Sequence, residues 1–184
     1  MFPLTTGSTP PLGNSSHMKR LLWLLLLTLP ALAKPAYTFA PGKSFGPVTL
    51  GQSPEQVKQA LSDWTYEVEP YVIGDVYHFP KGATEQFNCA FTTSHILKEI
   101  TLSSNKFKMQ GDPNMGPGAS QEAIQRRFGK PTTNTLDRFG GYWDYNKHGL
   151  CFFFPSSRQP AIYGKGHCLS VAIYVPGTSR YATK

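Results

Sequence analysis

A short motif that occurs twice constrains the fold of this chain more than any other feature. Residues 51–57 (GQSPEQV) and 118–124 (GASQEAI) both read Gly-x-Ser-x-Glu-x-(Val/Ile). In each copy the Ser is a favourable helix N-cap, and the Glu lies in the first turn, where the helix dipole stabilises an anion. Segments of β-rich composition follow each copy. The chain is therefore predicted to contain one supersecondary unit twice.

The first unit is predicted to begin with a short amphipathic helix. Pro54 suits the first helical position, and Val57, Ala60, Leu61 and Trp64 fall at the i, i+3, i+4 and i+7 spacing of one buried face. Turn residues then separate four strand candidates, 65–68, 75–79, 87–92 and 96–102. A helix followed by short, closely connected strands indicates an antiparallel sheet covered on one face.

The second unit repeats this order. Its helix is predicted to begin after Ser120 and to end at Phe128, because Gly129 suits a left-handed C-terminal position and Pro131 prevents continuation. Strand candidates follow at 141–145, 150–154 and 169–175. The expected fold class is α+β, with two tandem repeats that each pack a short helix or helical hairpin on an antiparallel sheet.

The N-terminal region has the pattern of a secretory signal. Met18-Lys19-Arg20 precedes the apolar run 21–29 and a small-x-small cleavage site ending at Ala33. The run is about half the ~20 residues that a membrane span needs, and no lipidation Cys follows it. We therefore expect a periplasmic or secreted protein without a stable membrane anchor after cleavage. The expected segments are an over-extended, disordered start (1–17), the signal (18–33), an extended lead-in (34–47), repeat 1 (48–103), a linker (104–117), repeat 2 (118–176) and a tail (177–184).

The charge balance is basic. Removing Lys19 and Arg20 with the signal lowers the formal charge from +7 to +5. This excess favours partners with acidic surfaces, such as an acidic protein or an anionic envelope polymer, although a basic surface can also serve solubility alone. Nucleic acid is not expected as a partner, since the sequence lacks the usual recognition motifs.

The cysteines and histidines raise the question of chemistry. Cys89, Cys151 and Cys168 allow one disulfide and one free thiol in an oxidising compartment, and the residues leave the pairing open. His148 with Cys151 and His167 with Cys168 could ligate zinc, and a Cys/His pair could form a nucleophile. However, Cys89 and Cys151 lie inside apolar strand candidates, where a buried structural thiol is expected. We predict no enzyme activity, no catalytic residue, no metal and no cofactor.

The repeated motif also carries a family resemblance. Leu50-Gly51-x-Ser-x-Glu, its second copy Pro117-Gly118-x-Ser-x-Glu, the sequence FGKP at 128–131 and the aromatic strand begun by GLCF at 149–152 resemble the module shared by β-lactamase inhibitor proteins and the SmpA/OmlA outer-membrane lipoproteins. The resemblance covers most of residues 46–176. It implies short helices on antiparallel sheets, in tandem copies, and a role in binding other envelope proteins.

Candidate binding residues are aromatic and cationic. Alternation along strand 141–145 places Tyr142 on one face and Trp143 and Tyr145 on the other, and exposed Tyr, Trp and Arg commonly anchor interfaces. The competing interpretation is that these rings fill the core. Loop 155–167 is a Gly/Ser/Pro-rich insertion, either a binding loop or a flexible hairpin tip. The predicted partner-binding set is Tyr142, Trp143, Tyr145, Arg158, Tyr163 and Lys165.

The expected function is that of an exported, non-enzymatic protein-binding module, with the hypothesis that it inhibits an envelope or secreted enzyme by occlusion. The first alternative is an envelope-assembly or cell-wall-associated accessory protein that binds an anionic polymer. The second is a thiol- or zinc-dependent hydrolase. The residues do not identify the partner.

Overall fold

The structure, a computed structural model, describes residues 37–81, 86–136, 140–156 and 162–181. The predicted over-extended start, the signal and the cleavage site lie outside the described residues. The described part is an α+β protein dominated by strands, with two β-sheets and two α-helices. The predicted fold class is confirmed at this level.

Both helices begin at the serines of the repeated motif. Helix α1 (Pro54–Ala60) has Ser53 as its N-cap, and Ser53 and Gln56 form a reciprocal capping box. Helix α2 (Gln121–Phe128) has Ser120 as its N-cap, whose side chain accepts a hydrogen bond from the Ala123 amide at 3.2 Å. Gly129 ends α2 at a φ of +77°, a value that favours glycine. These local signals fix where each helix starts.

The larger sheet has eight strands, all antiparallel to their neighbours. Its strands are β4 (Glu67–Glu69), β5 (Val76–Phe79), β6 (Phe87–Phe91), β7 (Leu97–Leu102), β9 (Thr133–Asn134), β10 (Gly141–Tyr145), β11 (Leu150–Phe154) and β12 (Ser170–Tyr174). A 3₁₀ turn (Asn146–His148) joins β10 to β11. The strand order is β4-β5-β6-β7-β12-β11-β10-β9.

This order has a simple internal arrangement. Helix α1 is followed by the meander β4 to β7, and helix α2 is followed by the meander β9 to β12. The two meanders meet through their last strands, because β7 pairs with β12 in the register Ile100 to Ile173. The result is one continuous sheet.

A smaller sheet of four strands has the order β3-β2-β1-β8. Its strands are β1 (Thr38–Ala40), β2 (Ser44–Phe45), β3 (Val48–Thr49) and β8 (Lys108–Met109). Phe39 and Phe45 of this sheet are fully buried. Strands β1 and β2 belong to the expected lead-in and β8 to the expected linker, so both segments contribute to the packed structure.

The main core collects apolar side chains from one face of the larger sheet, from both helices and from the smaller sheet. Val57 and Leu61 of the α1 region and Ile124 of α2 are buried in it. Aromatic rings pack edge-on within it, for example Phe45 and Phe87 with ring centroids 4.8 Å apart. One face of the larger sheet is therefore covered.

Candidate functional site: the outer face of the larger sheet

The outer face is the face of the larger sheet opposite the main core. Alternation along the strands places a different set of residues there, because neighbouring side chains point to opposite faces. One cross-strand row of this face follows the register Glu67, His78, Asn88, Thr101, Ala172, Cys151, Asp144. Small and polar residues thus replace the large apolar residues of the core face.

The three predicted aromatic residues of β10 divide between the two faces. Trp143 and Tyr145 are buried in the main core. The Trp143 indole donates to Asn134 at 3.1 Å, and the Tyr145 hydroxyl donates to the Gly129 carbonyl oxygen at 3.1 Å. Burial raises the pKa of Tyr145 to about 12. Since both side chains lie in the core, neither is positioned to contact a partner at the surface.

Tyr142 lies on the outer face but is partly covered there. Its ring contacts Phe153 and Tyr181, and its hydroxyl donates to the Tyr181 carbonyl oxygen at 3.0 Å. The alternation predicted for β10 is therefore the one observed. The sequence did not indicate which set of side chains would face the core.

Two of the three predicted loop residues, Tyr163 and Lys165, are among the described residues. Arg158 lies outside the described residues. Tyr163 is partly buried, and its hydroxyl donates to the Ser103 carbonyl oxygen at 3.1 Å. Lys165 is exposed. Within the described part of the loop, Tyr163 thus has a role in attaching the loop to the sheet.

A shallow pocket of about 300 Å³ lies over strands β5, β6 and β7 on the outer face. Its floor consists of the short or polar side chains of Val76, His78, Asn88, Ala90 and Thr101. These residues leave a depression because the neighbouring residues of each strand point into the core. The N-terminal half of the outer face, from β4 to β7, is therefore concave and accessible.

An apolar hairpin tip borders this pocket. Residues 70–75 connect β4 to β5, and within them Tyr71 is 49%, Val72 98% and Ile73 61% exposed. Gly74 has a φ of +119°, and a Cβ at this position would lie 2.1 Å from the Phe91 carbonyl oxygen. The tip is also held by Lys98, whose ammonium donates to the Ile73 carbonyl oxygen at 3.3 Å. The backbone is thus fixed while three apolar side chains face solvent.

The charged groups around the pocket are of both signs. His78 lies between Asn88 and Glu69, with its ring nitrogens 2.9 Å and 3.2 Å from their side-chain oxygens. Glu99 is almost fully buried and forms an ion pair with Arg180 at 2.8 Å. A hydrogen bond with Glu69 raises the pKa of Tyr71. The pocket therefore has a largely polar floor, and the hairpin tip forms an apolar rim beside it.

A C-terminal strap, residues 176–181, covers the other half of the outer face and extends to Glu99 of β7, so that its Arg180 also borders the pocket. Tyr181 packs against a small apolar cluster that is separate from the main core. That cluster contains Cys151, Ala172 and Tyr174, with Tyr142 and Phe153 packed against it. The two halves of the outer face therefore differ, because one is open and the other is closed by the chain's own C-terminal segment.

The three cysteines are free and buried. Cys89 and Cys168 contribute to the main core, whereas Cys151 lies on the outer face beneath the strap. Burial raises the pKa of all three thiols, that of Cys168 to about 12. Buried protonated thiols are poor nucleophiles and poor metal ligands. The residues that the structure describes contain no cluster of three or more His, Cys, Asp or Glu side chains arranged to hold a metal ion.

Among the described residues, neither helix has the length and apolar character to cross a bilayer. Comparison of the sequence and structure with protein-family models, with curated proteins and with solved structures gives no match.

The hairpin tip was not among the binding residues predicted from the sequence. A signal for it was present, since Tyr71, Val72 and Ile73 form an apolar run enclosed by Pro70 and Gly74, the residues that mark a turn. An apolar run at a predicted turn is unusual, because turn residues are generally solvated and polar. The strap carried no comparable signal, because its contacts depend on the sheet face beneath it.

Proposed function

We propose that this protein is an exported, non-enzymatic binding module, and that it docks another protein on the open half of its outer face. The observation that carries the proposal is the hairpin tip, where Val72 is 98% exposed beside a concave pocket. Exposed apolar side chains on a rigid backbone, rimmed by polar groups, are typical of protein interaction sites.

We further propose that the two halves of the larger sheet are tandem repeats. Two meanders, each preceded by a serine-capped helix, support the interpretation of two tandem repeats, as does the motif shared by residues 51–57 and 118–124. In this interpretation the repeats share one sheet and have diverged in use. The first repeat presents the open surface, and the second is closed by the strap. The resemblance to inhibitor-like modules adds the hypothesis that docking occludes the partner's active site.

Charge at this surface is mixed rather than strongly basic. Glu67 and Glu69 lie on strand β4 at the margin of the open half. Lys98 and Arg180 line the pocket together with Glu99, the ion-pair partner of Arg180. An anionic polymer is held by a concentration of positive charge, so a surface on which carboxylates accompany the cations favours a protein with charges of both signs.

Partner capture from an envelope fraction tests the proposal. Burying one Val side chain contributes about 1.5–3 kcal/mol, which corresponds to roughly 10- to 150-fold in Kd. Val72→Asp should therefore lose the captured partner. Ile162→Asp is the matched control, because Ile162 is also an exposed apolar residue, 73% exposed, but lies outside the hairpin tip.

Three outcomes of this experiment are distinct. Retention of the partner by I162D and its loss by V72D, at moderate salt, support docking through the tip. Recovery of no protein at moderate salt would overturn the proposal. Binding that disappears steeply with added salt in the wild-type protein would instead indicate an anionic polymer.

A further inference from the structure

The strap occupies a cradle that has the features of a peptide-binding site. We define the seat as the outer-face residues that contact strap residues Arg180 and Tyr181, namely Glu99, Tyr142, Phe153 and Tyr174. Arg180 forms its ion pair with Glu99 at 2.8 Å. The Tyr181 hydroxyl lies 3.0 Å from each oxygen of the same carboxylate. Two adjacent strap side chains thus converge on one buried acid.

The carboxylate of Glu99 makes the seat selective for a cationic side chain. The Glu99 side chain is only 5% exposed, and the remaining donor to it within the described structure is the Thr101 hydroxyl at 3.3 Å. A buried carboxylate without sufficient donors is strongly destabilising. Arg is suited to supply these donors, because its guanidinium is always charged and matches a carboxylate in geometry. The seat therefore requires a cation at this point.

The aromatic part of the seat is equally well formed. The Tyr181 ring lies 5.3 Å from the rings of Tyr142 and Phe153, and 6.2 Å from that of Tyr174, measured between centroids. The Tyr142 hydroxyl also donates to the Tyr181 backbone carbonyl oxygen. The seat thus contacts a cationic side chain, an aromatic side chain and the backbone of a single short segment.

The strap is attached in a way that allows it to leave. Residues 176–181 pair with no strand, and the segment follows the end of β12 through a turn in which the Thr178 amide donates to Val175. The Gly177 amide donates to the Asn146 carbonyl oxygen at 3.1 Å, and the Ser179 amide donates to the Asn146 side-chain oxygen at 3.3 Å. The hydrogen bond from the Tyr142 hydroxyl to the Tyr181 carbonyl oxygen is the strap's other backbone contact with the sheet among the described residues. Release of the strap therefore breaks no strand pair of the sheet. Release would still cost the contacts of Arg180 and Tyr181 with the seat, and a competing peptide with the same two side chains would restore them.

We propose that the seat is a recognition site for an extended peptide segment carrying Arg followed by an aromatic residue, and that the strap is its intramolecular occupant. A protein partner presenting the same pair would displace the strap and bind the second half of the outer face. This inference goes beyond docking through the hairpin tip. A failed test of the seat leaves the result of the V72D experiment unaffected.

A labelled peptide with the sequence of residues 176–184 (PGTSRYATK) is the probe, and PGTSAAATK is the control peptide. The strap competes as a tethered ligand, which lowers the apparent affinity of a free peptide. In the full-length chain, R180A/Y181A vacates the seat. We expect this variant to bind the probe at least tenfold more tightly than wild type in fluorescence anisotropy. Adding Glu99→Gln should remove most of that gain.

The control peptide and a second measurement make the result decisive. Equal binding of the two peptides by an R180A/Y181A variant with native near-UV circular dichroism would overturn the proposal. If the variant loses its native near-UV signal, hydrogen exchange measured on the wild-type chain takes the place of the binding experiment. Millimolar probe, but not the control peptide, should then accelerate exchange of the Ser179 and Tyr181 amides. Unchanged exchange would also overturn the proposal.

Discussion

Tyr174→Phe removes a single hydroxyl from beneath the strap. The Tyr174 hydroxyl donates to Oδ1 of Asp144 in a short hydrogen bond and lies 3.2 Å from the Leu150 carbonyl oxygen. Asp144 is fully buried, and its Oδ2 has no hydrogen-bond partner among the described residues. Burial, followed by the contact with Asp144, raises the pKa of Tyr174. The hydroxyl is thus the main identified donor to a buried acid.

The expected cost follows from this imbalance. Hydrogen bonds to charged groups contribute about 1.5–3 kcal/mol, and a buried acid that loses its donor adds a desolvation penalty. We therefore expect Y174F to lower the free energy of unfolding by about 3 kcal/mol. Asp144→Asn keeps an acceptor oxygen and removes the charge, so it should cost no more than about 1 kcal/mol. In the D144N background, Y174F should cost only about 1 kcal/mol.

Urea denaturation followed by tryptophan fluorescence measures these values, and an unchanged m-value shows that the unfolding transition is comparable. The double-mutant cycle should give a coupling of about 2 kcal/mol between the two residues. Tyr66→Phe is the control, because Tyr66 is 40% exposed and should change stability by less than about 0.5 kcal/mol. An equal cost of Y174F in both backgrounds would refute the reasoning.

Two further predictions concern a helix end and a thiol. Ser120→Ala should lower the free energy of unfolding by about 1 kcal/mol in thermal or urea denaturation. Ser120→Asp should retain most of the wild-type stability, because a Ser or an Asp side chain can accept the hydrogen bond from the Ala123 amide. Equal stability of the Ala and Asp variants would contradict this. Burial raises the pKa of Cys168 from its ordinary value of about 9 to about 12. The unfolded chain therefore loses this proton at a lower pH than the folded chain does. The free energy of unfolding should thus fall as the pH rises from about 9 towards 12, and it should fall less steeply in a folded Cys168→Ala variant.

Local signals predicted the local structure well. Helix starts at Pro54 and Gln121 and the stop at Gly129 follow from capping and from the backbone freedom of glycine. The strand candidates 141–145 and 150–154 match β10 and β11 residue for residue. These features depend on residues within a few positions of one another, so a single sequence contains the information needed.

Which side chains of a strand lie on the outer face depends on residues that are distant in the sequence. Alternation separates Tyr142 from Trp143 and Tyr145, but only the position of the helices and the smaller sheet decides which set is buried. The strap is a further example, since Arg180 pairs with Glu99, which lies 81 residues away in the sequence. A contact between residues so far apart in the sequence produces no hydrophobic periodicity and no turn motif from which it could be predicted. Local propensity therefore could not reveal the closed half of the face.

The pairing of β7 with β12 has a consequence for how the protein behaves at high concentration. Because the two meanders join through their last strands, the free edges of the larger sheet are β4 and β9. These strands have three and two residues, and β4 carries Glu67 and Glu69. Short, charged edges offer few unpaired amides to another chain and discourage edge-to-edge aggregation. The molecule can thus expose an apolar hairpin tip to its surroundings without also presenting a long edge on which fibrils could grow.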